Sequence, residues 1–222
     1  MPSAAMAQSA GAHADRRAEA RALLWAMLDA VEGHTVARYA AAAPELLTPG
    51  KKAARDAVAW RAAGTSLAGT PLETAVDSLL AAATGDGSLT DALLLQGLVL
   101  EQLGVTIYRT FGDGRLSDDG SDVATLAGAA SEEVSALAAE RLCAEMPNAD
   151  ARFDAFAERT DAMFVRLDAL GEALDTAFSG PFGLHFEDVM GEFMADLLPA
   201  CTDGLGLQRR EVIVHLTHAL MG

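Results

Sequence analysis

The stretch from Leu89 to Phe111, LTDALLLQGLVLEQLGVTIYRTF, constrains the fold of this 222-residue chain more than any other. Between Ala92 and Tyr108 almost every residue is apolar, with no proline and with one side chain charged at neutral pH, Glu101. A run of this length predicts a helix, because it is too long for an ordinary strand. A helix that is apolar on every side either crosses a membrane or forms the centre of a bundle.

The length of the apolar run decides between these two alternatives. Asp91 and Arg109 limit it to about 17 residues, which is fewer than the roughly 20 that a helix needs to cross a bilayer. We therefore predict no membrane span and a fully buried helix with Glu101 in its middle. A buried carboxylate is costly unless it is protonated, paired or bound to a metal. Gly97 and Gly104, one turn away on either side, leave room beside it.

Composition favours helices and excludes some partners. Hydrophobic residues make up 51% of the chain and aromatic residues 5%, which indicates an all-α fold. The net charge of −16 argues against nucleic acid and anionic membranes as partners. The first residues, MPSAAMAQSAGAHADRR, lack a basic start followed by an apolar run, so we predict no signal peptide and a cytoplasmic location. Helical bundles often pair, and a homodimer is consistent with this composition.

Prolines and glycines divide the chain into helices. Residues 1–14 are small and polar and predict a disordered tail, whereas residues 15–222 predict one domain. The segment 112–121 is rich in Gly and Asp but lacks the ligand spacing of a calcium hand, which predicts a solvated turn. The helices are expected at about 15–43, 51–64, 70–84, 89–111, 122–146, 150–178, 184–198 and 207–221. This pattern predicts a long-helix bundle with additional C-terminal helices.

Three of these helices carry a glutamate within an apolar or alanine-rich face: Glu32, Glu101 and Glu133. Di-iron carboxylate proteins hold their metals with interior glutamates on separate helices of a bundle. The segments VEGHTVARYAAAAPELL, LLLQGLVLEQLGVTIYRTF and ASEEVSALAAERL resemble the metal-bearing helices of ferritin-like proteins, especially the aldehyde-deformylating oxygenases. The resemblance covers roughly residues 25–146 and implies a ferritin-like fold.

The resemblance also implies a dimetal site, with one glutamate on each of two helices and a Glu-x-x-His pair on each of two others. The three glutamates match three of these positions. Arg61, Gly64 and Ala136 stand where the remaining Glu and the two His are expected. Three carboxylates without an imidazole are a poor ligand set for two divalent ions, so we expect no metal cofactor. If metal binds, the three glutamates are its expected ligands and two Fe or Mn ions the alternative cofactor.

Arg61 allows two interpretations. Its guanidinium could lie among the glutamates and neutralise part of their charge without metal. Alternatively it points to solvent, as most arginines do, and the site has lost its function. The first interpretation predicts an ion pair between Arg61 and Glu101.

A second cluster of polar residues lies on the last predicted helix. Glu211, His215 and His218 share one helical face and are residue types that bind zinc or iron. They span about 10 Å along the helix, so a second helix would have to contribute a ligand. His185 or Glu187 is the nearest candidate in the sequence, and a solvated polar face is the simpler interpretation.

Two functional hypotheses follow from these residues and from the resemblance. The first is a ferritin-like protein related to dimetal oxygenases but with an incomplete metal site. It would bind a small apolar molecule inside the bundle or perform metal-free chemistry there. The second is an active di-iron or di-manganese oxygenase that acts on an aldehyde or another hydrophobic substrate.

For the first hypothesis, the candidate catalytic residues are Glu101, Arg61 and Tyr108. The candidate ligand-binding residues are Glu32, Glu133, Gly97, Gly104 and Ala136. The small residues among them predict a cavity around Glu101, which would suit a molecule that carries an amine or a hydroxyl. Tight helix-to-helix packing of the same small residues is the alternative.

Overall fold

The computed structural model describes residues 4–110 and 120–221, with the backbone alone for residues 4–12, 220 and 221. Within these ranges the chain consists of helices and short connections, and no strand occurs. The predicted all-α fold is confirmed. The segment predicted as a solvated turn, 112–121, falls largely outside the described residues.

Eight helical elements follow one another along the described ranges. They are α1 (Ala4–Ala42), α2 (Pro49–Ala62), α3 (Pro71–Thr84), α4 (89–110), α5 (Ser121–Glu145), α6 (Ala149–Phe182), α7 (Phe186–Pro199) and α8 (Arg209–Met221). A short 3-10 turn at Pro44–Leu46 and a short π-helical turn at Ala200–Gly204 also lie within these ranges. No helix of the described residues is long and apolar enough to cross a membrane.

Helix α4 is the centre of the bundle, as its apolar sequence predicts. It consists of an α-helical turn Leu89–Asp91, a π-helical stretch Ala92–Leu100 and an α-helix Glu101–Thr110. Every residue of the π-helical stretch is buried. Helices α1, α3, α5, α6 and α7 pack around α4, so Glu101 lies in the interior.

Local signals in the sequence fix where the surrounding helices begin. Thr48 caps α2, its hydroxyl accepting a hydrogen bond from the backbone N–H of Lys51 at 3.1 Å, and Pro49 occupies the first helical position. Thr70 caps α3 and Asn148 caps α6 in the same manner. The cap of α2 matters for the site, because it places Lys51 in the first turn, facing the bundle.

Two predicted boundaries require correction. Helix α1 begins at Ala4, so residues 4–14 are helical where a disordered tail was predicted, and residues 1–3 lie outside the described ranges. The alanines of this segment have high helix propensity, which outweighs its lack of apolar periodicity. Helix α6 continues through Pro181 and ends at Gly183, whose φ of 63° is left-handed.

Candidate functional site

The interior of the bundle contains an ion-paired lysine between two glutamates. The ammonium of Lys51 lies 2.7 Å from Oε2 of Glu101 and 2.9 Å from Oε2 of Glu32. These three side chains come from α2, α4 and α1, and each is at most 5% exposed. A buried arrangement of this kind is tolerated because opposite charges are paired at hydrogen-bonding distance.

Two buried tyrosines occupy the remaining carboxylate oxygens. Tyr39 donates its hydroxyl hydrogen bond to Oε1 of Glu101 at 2.8 Å, and Tyr108 donates to Oε1 of Glu32 at 3.0 Å. Each carboxylate oxygen of the pair therefore has one partner, a tyrosine or the lysine. We call Glu32, Tyr39, Lys51, Glu101 and Tyr108 the buried cluster.

The sequence spacing explains how two helices build this arrangement. Glu32 and Tyr39 are seven residues apart on α1, and Glu101 and Tyr108 are seven apart on α4, so each pair shares one helical face. Each tyrosine bonds the glutamate of the opposite helix. The two helices are thus connected by crossed hydrogen bonds, with the Lys51 ammonium joining the two carboxylates.

Burial and charge together set the protonation of the cluster. Burial raises the pKa of Glu101, the Lys51 ammonium opposes this, and the nearby Glu32 adds to it. Burial by itself would lower the pKa of Lys51, but the carboxylates of Glu101 and Glu32 outweigh it, so that pKa is raised. Burial, together with the two carboxylates, raises the pKa of Tyr39 and Tyr108 well above 10. The cluster therefore holds an ammonium and two protonated phenols, and the pKa of the Glu101 carboxyl lies above its ordinary value.

The raised pKa of Lys51 predicts a loss of stability at alkaline pH. Because the pKa of Lys51 is higher in the folded than in the unfolded chain, its stabilisation is complete below 10.5 and is lost as the pH rises through the folded value. Urea unfolding midpoints of the wild type and of Lys51→Met, measured between about pH 9 and pH 12, should converge as the pH rises. A constant gap between the two midpoints would contradict the ion pair.

Arg61 is not part of the buried cluster. Its guanidinium lies over the ring of Trp60, with Cζ 5.2 Å from the ring centroid, and Trp60 is 72% exposed. The predicted Arg61–Glu101 pair is therefore wrong, and Lys51 provides the cation instead. Arg61 is near the C-terminal end of α2, whereas Lys51 lies in its first turn; only the latter meets Glu101.

Glu133 and Ala136 also lie elsewhere. Glu133 is on an exposed part of α5, where its Oε2 accepts a hydrogen bond from the Thr48 hydroxyl at 3.1 Å, and Ala136 is exposed. Gly97 is in close contact with α5, since a Cβ at this position would lie 2.5 Å from Cβ of Ala138. For Gly97 the tight-packing alternative is therefore correct.

A cavity of about 30 Å³ adjoins the cluster. Glu32, Lys51, Glu101 and Tyr108 form its polar side, and Gly104 lines it as well. Its apolar wall includes Met27, Val31, Leu79, Leu103, Ile107 and Leu170. A space of this size holds about one water molecule, so the predicted cavity exists but is small.

The C-terminal residues do not form a site with the proposed second helix. His215 packs against the rings of Phe153, Phe156 and Phe164 and lies 3.0 Å from the Thr160 hydroxyl. Burial lowers the pKa of His215. The other four candidates, Glu211, His218, His185 and Glu187, are exposed. His215 therefore serves the packing of α8 on α6.

The fold is similar to that of a solved structure, protein 19 with aldehyde deformylating oxidase activity from Synechococcus, with a TM-score of 0.67. The chain has a ferritin-like fold. The similarity covers 91% of this chain and 96% of that chain, and 18% of the residues are identical, so it concerns the fold alone. No protein-family model and no curated protein matches the sequence.

The residues of the buried cluster do not fit the dimetal centre that this fold implies. Glu32 and Glu101 both contact Lys51, and their carboxylate oxygens face this ammonium and two phenols. An ammonium has no lone pair with which to bind a metal. Within 4–110 and 120–221 no group of three or more His, Cys, Asp or Glu side chains is placed to hold a metal ion.

Tyr39 and Lys51 are the residues of the buried cluster that were not among the predicted site residues. Of the two, Lys51 supplies the cation. It forms one stripe of α2 with Ala54, Val58 and Ala62, all of which are buried. A lysine at the head of an apolar stripe, three residues after a Thr-Pro helix start, was the available signal. The resemblance to ferritin-like proteins indicated Arg61 instead, ten residues further along the chain.

Proposed function

We propose that this ferritin-like protein binds a small, largely apolar molecule inside the bundle, with the polar end of the molecule at the buried cluster. The observation that carries the proposal is the cavity, which has charged side chains on one side and apolar side chains on the others. Ligand sites in proteins typically combine apolar walls with a few fixed polar groups.

A row of further cavities supports a longer apolar ligand. Met27 and Ile107 line both the cavity at the cluster and a second one of about 30 Å³, which Leu24, Leu174 and Phe178 also line. Thr110, Leu184 and Val189 in turn line both this second cavity and a wider pocket of about 400 Å³. Rotation of the flexible Met27 side chain and of Ile107 would join the row and admit an alkyl chain.

The cluster itself indicates which polar end would bind. An ammonium has three N–H donors, and Glu32 and Glu101 are the acceptors of Lys51 among the described side chains. The third donor is available to a carbonyl or hydroxyl oxygen. A ligand with an amine is disfavoured, because its positive charge would lie next to that of Lys51. The amine-bearing ligand that Glu101 alone suggested is therefore not proposed.

Such a site would support metal-free acid–base chemistry on a bound ligand. The Lys51 ammonium would polarise a bound carbonyl, and Glu101, whose pKa burial raises, would exchange a proton with the ligand. Tyr108, which lines the same cavity, would orient Glu32 through its hydrogen bond. Arg61 has no part in this proposal.

Thermal unfolding in the presence of decanal, decanol and decylamine tests ligand binding. We expect decanal and decanol to raise the Tm and decylamine to have a smaller effect. Ile107→Phe, which would block the row of cavities, should abolish the shift. The matched control Ile213→Phe, at a position 44% exposed on α8, should retain it. No shift with any of the three compounds would leave the bundle as a scaffold alone.

Metal content distinguishes this proposal from an active dimetal oxygenase. Because Lys51 occupies the space between the two carboxylates, we expect far less than one iron or manganese per chain after expression in metal-rich medium. Elemental analysis of the purified protein measures this directly. About two metal ions per chain, lost in a Glu101→Gln variant, would favour the oxygenase.

A further inference from the structure

Side chains of the protein contact all four carboxylate oxygens of Glu32 and Glu101 in the buried cluster without any added ion. The Lys51 ammonium donates a hydrogen bond to Oε2 of Glu101 and forms an ion pair with Oε2 of Glu32 at 2.9 Å, and a tyrosine hydroxyl donates to the other oxygen of each glutamate. All four oxygens that could face an ion are therefore occupied by groups of the chain. The ammonium lies between the carboxylates, where a bound cation would lie.

Lys51 is held in this position by the backbone as well as by its charge. Its N–H donates to the Thr48 hydroxyl in the cap of α2, and the lysine is 1% exposed. Its side chain is therefore shielded from water, unlike that of a surface lysine. Both carboxylates would be left buried and unpaired if the ammonium were removed.

From this geometry we infer that the Lys51 ammonium takes the place that a bound cation would otherwise occupy between Glu32 and Glu101. Shortening the Lys51 side chain should therefore create a site that binds an added cation. The vacancy left by Lys51→Ala adds to the neighbouring cavity of about 30 Å³. It would accept a small alkylammonium ion, or a divalent metal held by the two carboxylates. Lys51 has this role whether or not the bundle binds an apolar molecule.

Cation rescue of Lys51→Ala tests the inference. We expect the variant to have a lower Tm than the wild type, and ethylammonium chloride or Mn²⁺ to raise it by about 5 °C or more. Sodium chloride at equal ionic strength is the control for screening. Lys51→Met, whose side chain fills the same space without a charge, should show no rescue, and the wild type should show no shift. A folded Lys51→Ala that responds to neither cation more than Lys51→Met does would overturn the assignment.

A variant that lacks the charges of Glu32, Lys51 and Glu101 tests the inference if Lys51→Ala does not fold. If Lys51 acts as the counter-cation of the two carboxylates, Glu32→Gln/Lys51→Met/Glu101→Gln should fold with a Tm close to that of the wild type, because no buried charge is left unpaired. This variant should also bind no Mn²⁺. A Tm as low as that of Lys51→Met alone would show that Lys51 has another structural role and would overturn the inference.

Discussion

Replacing Lys51 by methionine is expected to lower the free energy of unfolding by about 3–5 kcal/mol, the usual cost of removing one partner from a buried ion pair. Methionine preserves most of the side-chain volume, so the loss reports on charge and not on a cavity. Glu32 and Glu101 would remain buried, each still accepting a hydrogen bond from a tyrosine but without a cation beside it. Urea denaturation at neutral pH measures the difference.

The neighbouring lysine provides a matched control. Lys52 is exposed, so Lys52→Met should change the free energy of unfolding by no more than about 0.5 kcal/mol. The deficit of Lys51→Met should also shrink as the pH falls. Unpaired buried carboxylates have raised pKa values, and their protonation removes the charge that destabilises the variant. Equal losses in the two methionine variants would contradict the buried ion pair.

The central helix could be predicted from the residues themselves, whereas the approach of Glu32 to Glu101 was implied only by the resemblance to ferritin-like proteins. An apolar run too short for a bilayer has to be buried, and the single charged residue in it, Glu101, needs a partner wherever the fold places it. The face of α1 that carries Glu32 and Tyr39 was also visible from their spacing. The shared face depends on helical periodicity and the buried helix on its apolar run, and neither property requires knowledge of how the helices pack.

The partner of Glu101 could not be predicted, because it depends on how α2 is oriented against α1 and α4. Lys51 and Arg61 are both cations on this short helix, and their positions differ by almost three turns. The helix start fixed by Thr48 and Pro49 places Lys51 at the level of the glutamates. Periodicity gives the face of a helix but not its axial position.

The alanine-rich helix α5 was misleading for a different reason. Its buried residues include Ser131, Val134 and Ala138, which place Glu133 and Ala136 on the opposite, exposed face. In an alanine-rich helix the buried and exposed faces have nearly the same composition, so periodicity does not identify the buried side. The contact between Gly97 and Ala138 identifies it in the structure.

The close contact between Gly97 and Ala138 predicts a second large effect on stability. Gly97→Ala should lower the free energy of unfolding by about 1–3 kcal/mol, the usual cost of overpacking a core. The new Cβ would lie 2.5 Å from Cβ of Ala138, and also 3.3 Å from the backbone oxygen of Ala92 and 3.4 Å from Cδ1 of Leu46. Because a Cβ is fixed to its backbone, α4 and α5 would have to move apart. Urea denaturation of the variant measures the loss.

Gly191 separates this steric effect from the effect of adding a methyl group to a helix. It lies inside α7 with open space around its Cβ position, so Gly191→Ala should stabilise the protein by about 0.5–1 kcal/mol. If Gly97→Ala were equally stabilising, the close approach of α4 and α5 would be refuted. In that case the small residues of α4 would border unfilled space and would not pack closely against α5.

The double variant Gly97→Ala/Ala138→Gly tests the contact between these two residues directly. Moving the methyl group from α5 to α4 keeps one Cβ between the helices, so the clash is removed. A double-mutant cycle should therefore show a favourable coupling of about 1 kcal/mol or more between the two substitutions. Additive losses would mean that Gly97→Ala acts through some other neighbour, such as Leu46. A measured coupling would establish that Gly97 fixes the distance between α4, which carries Glu101, and α5.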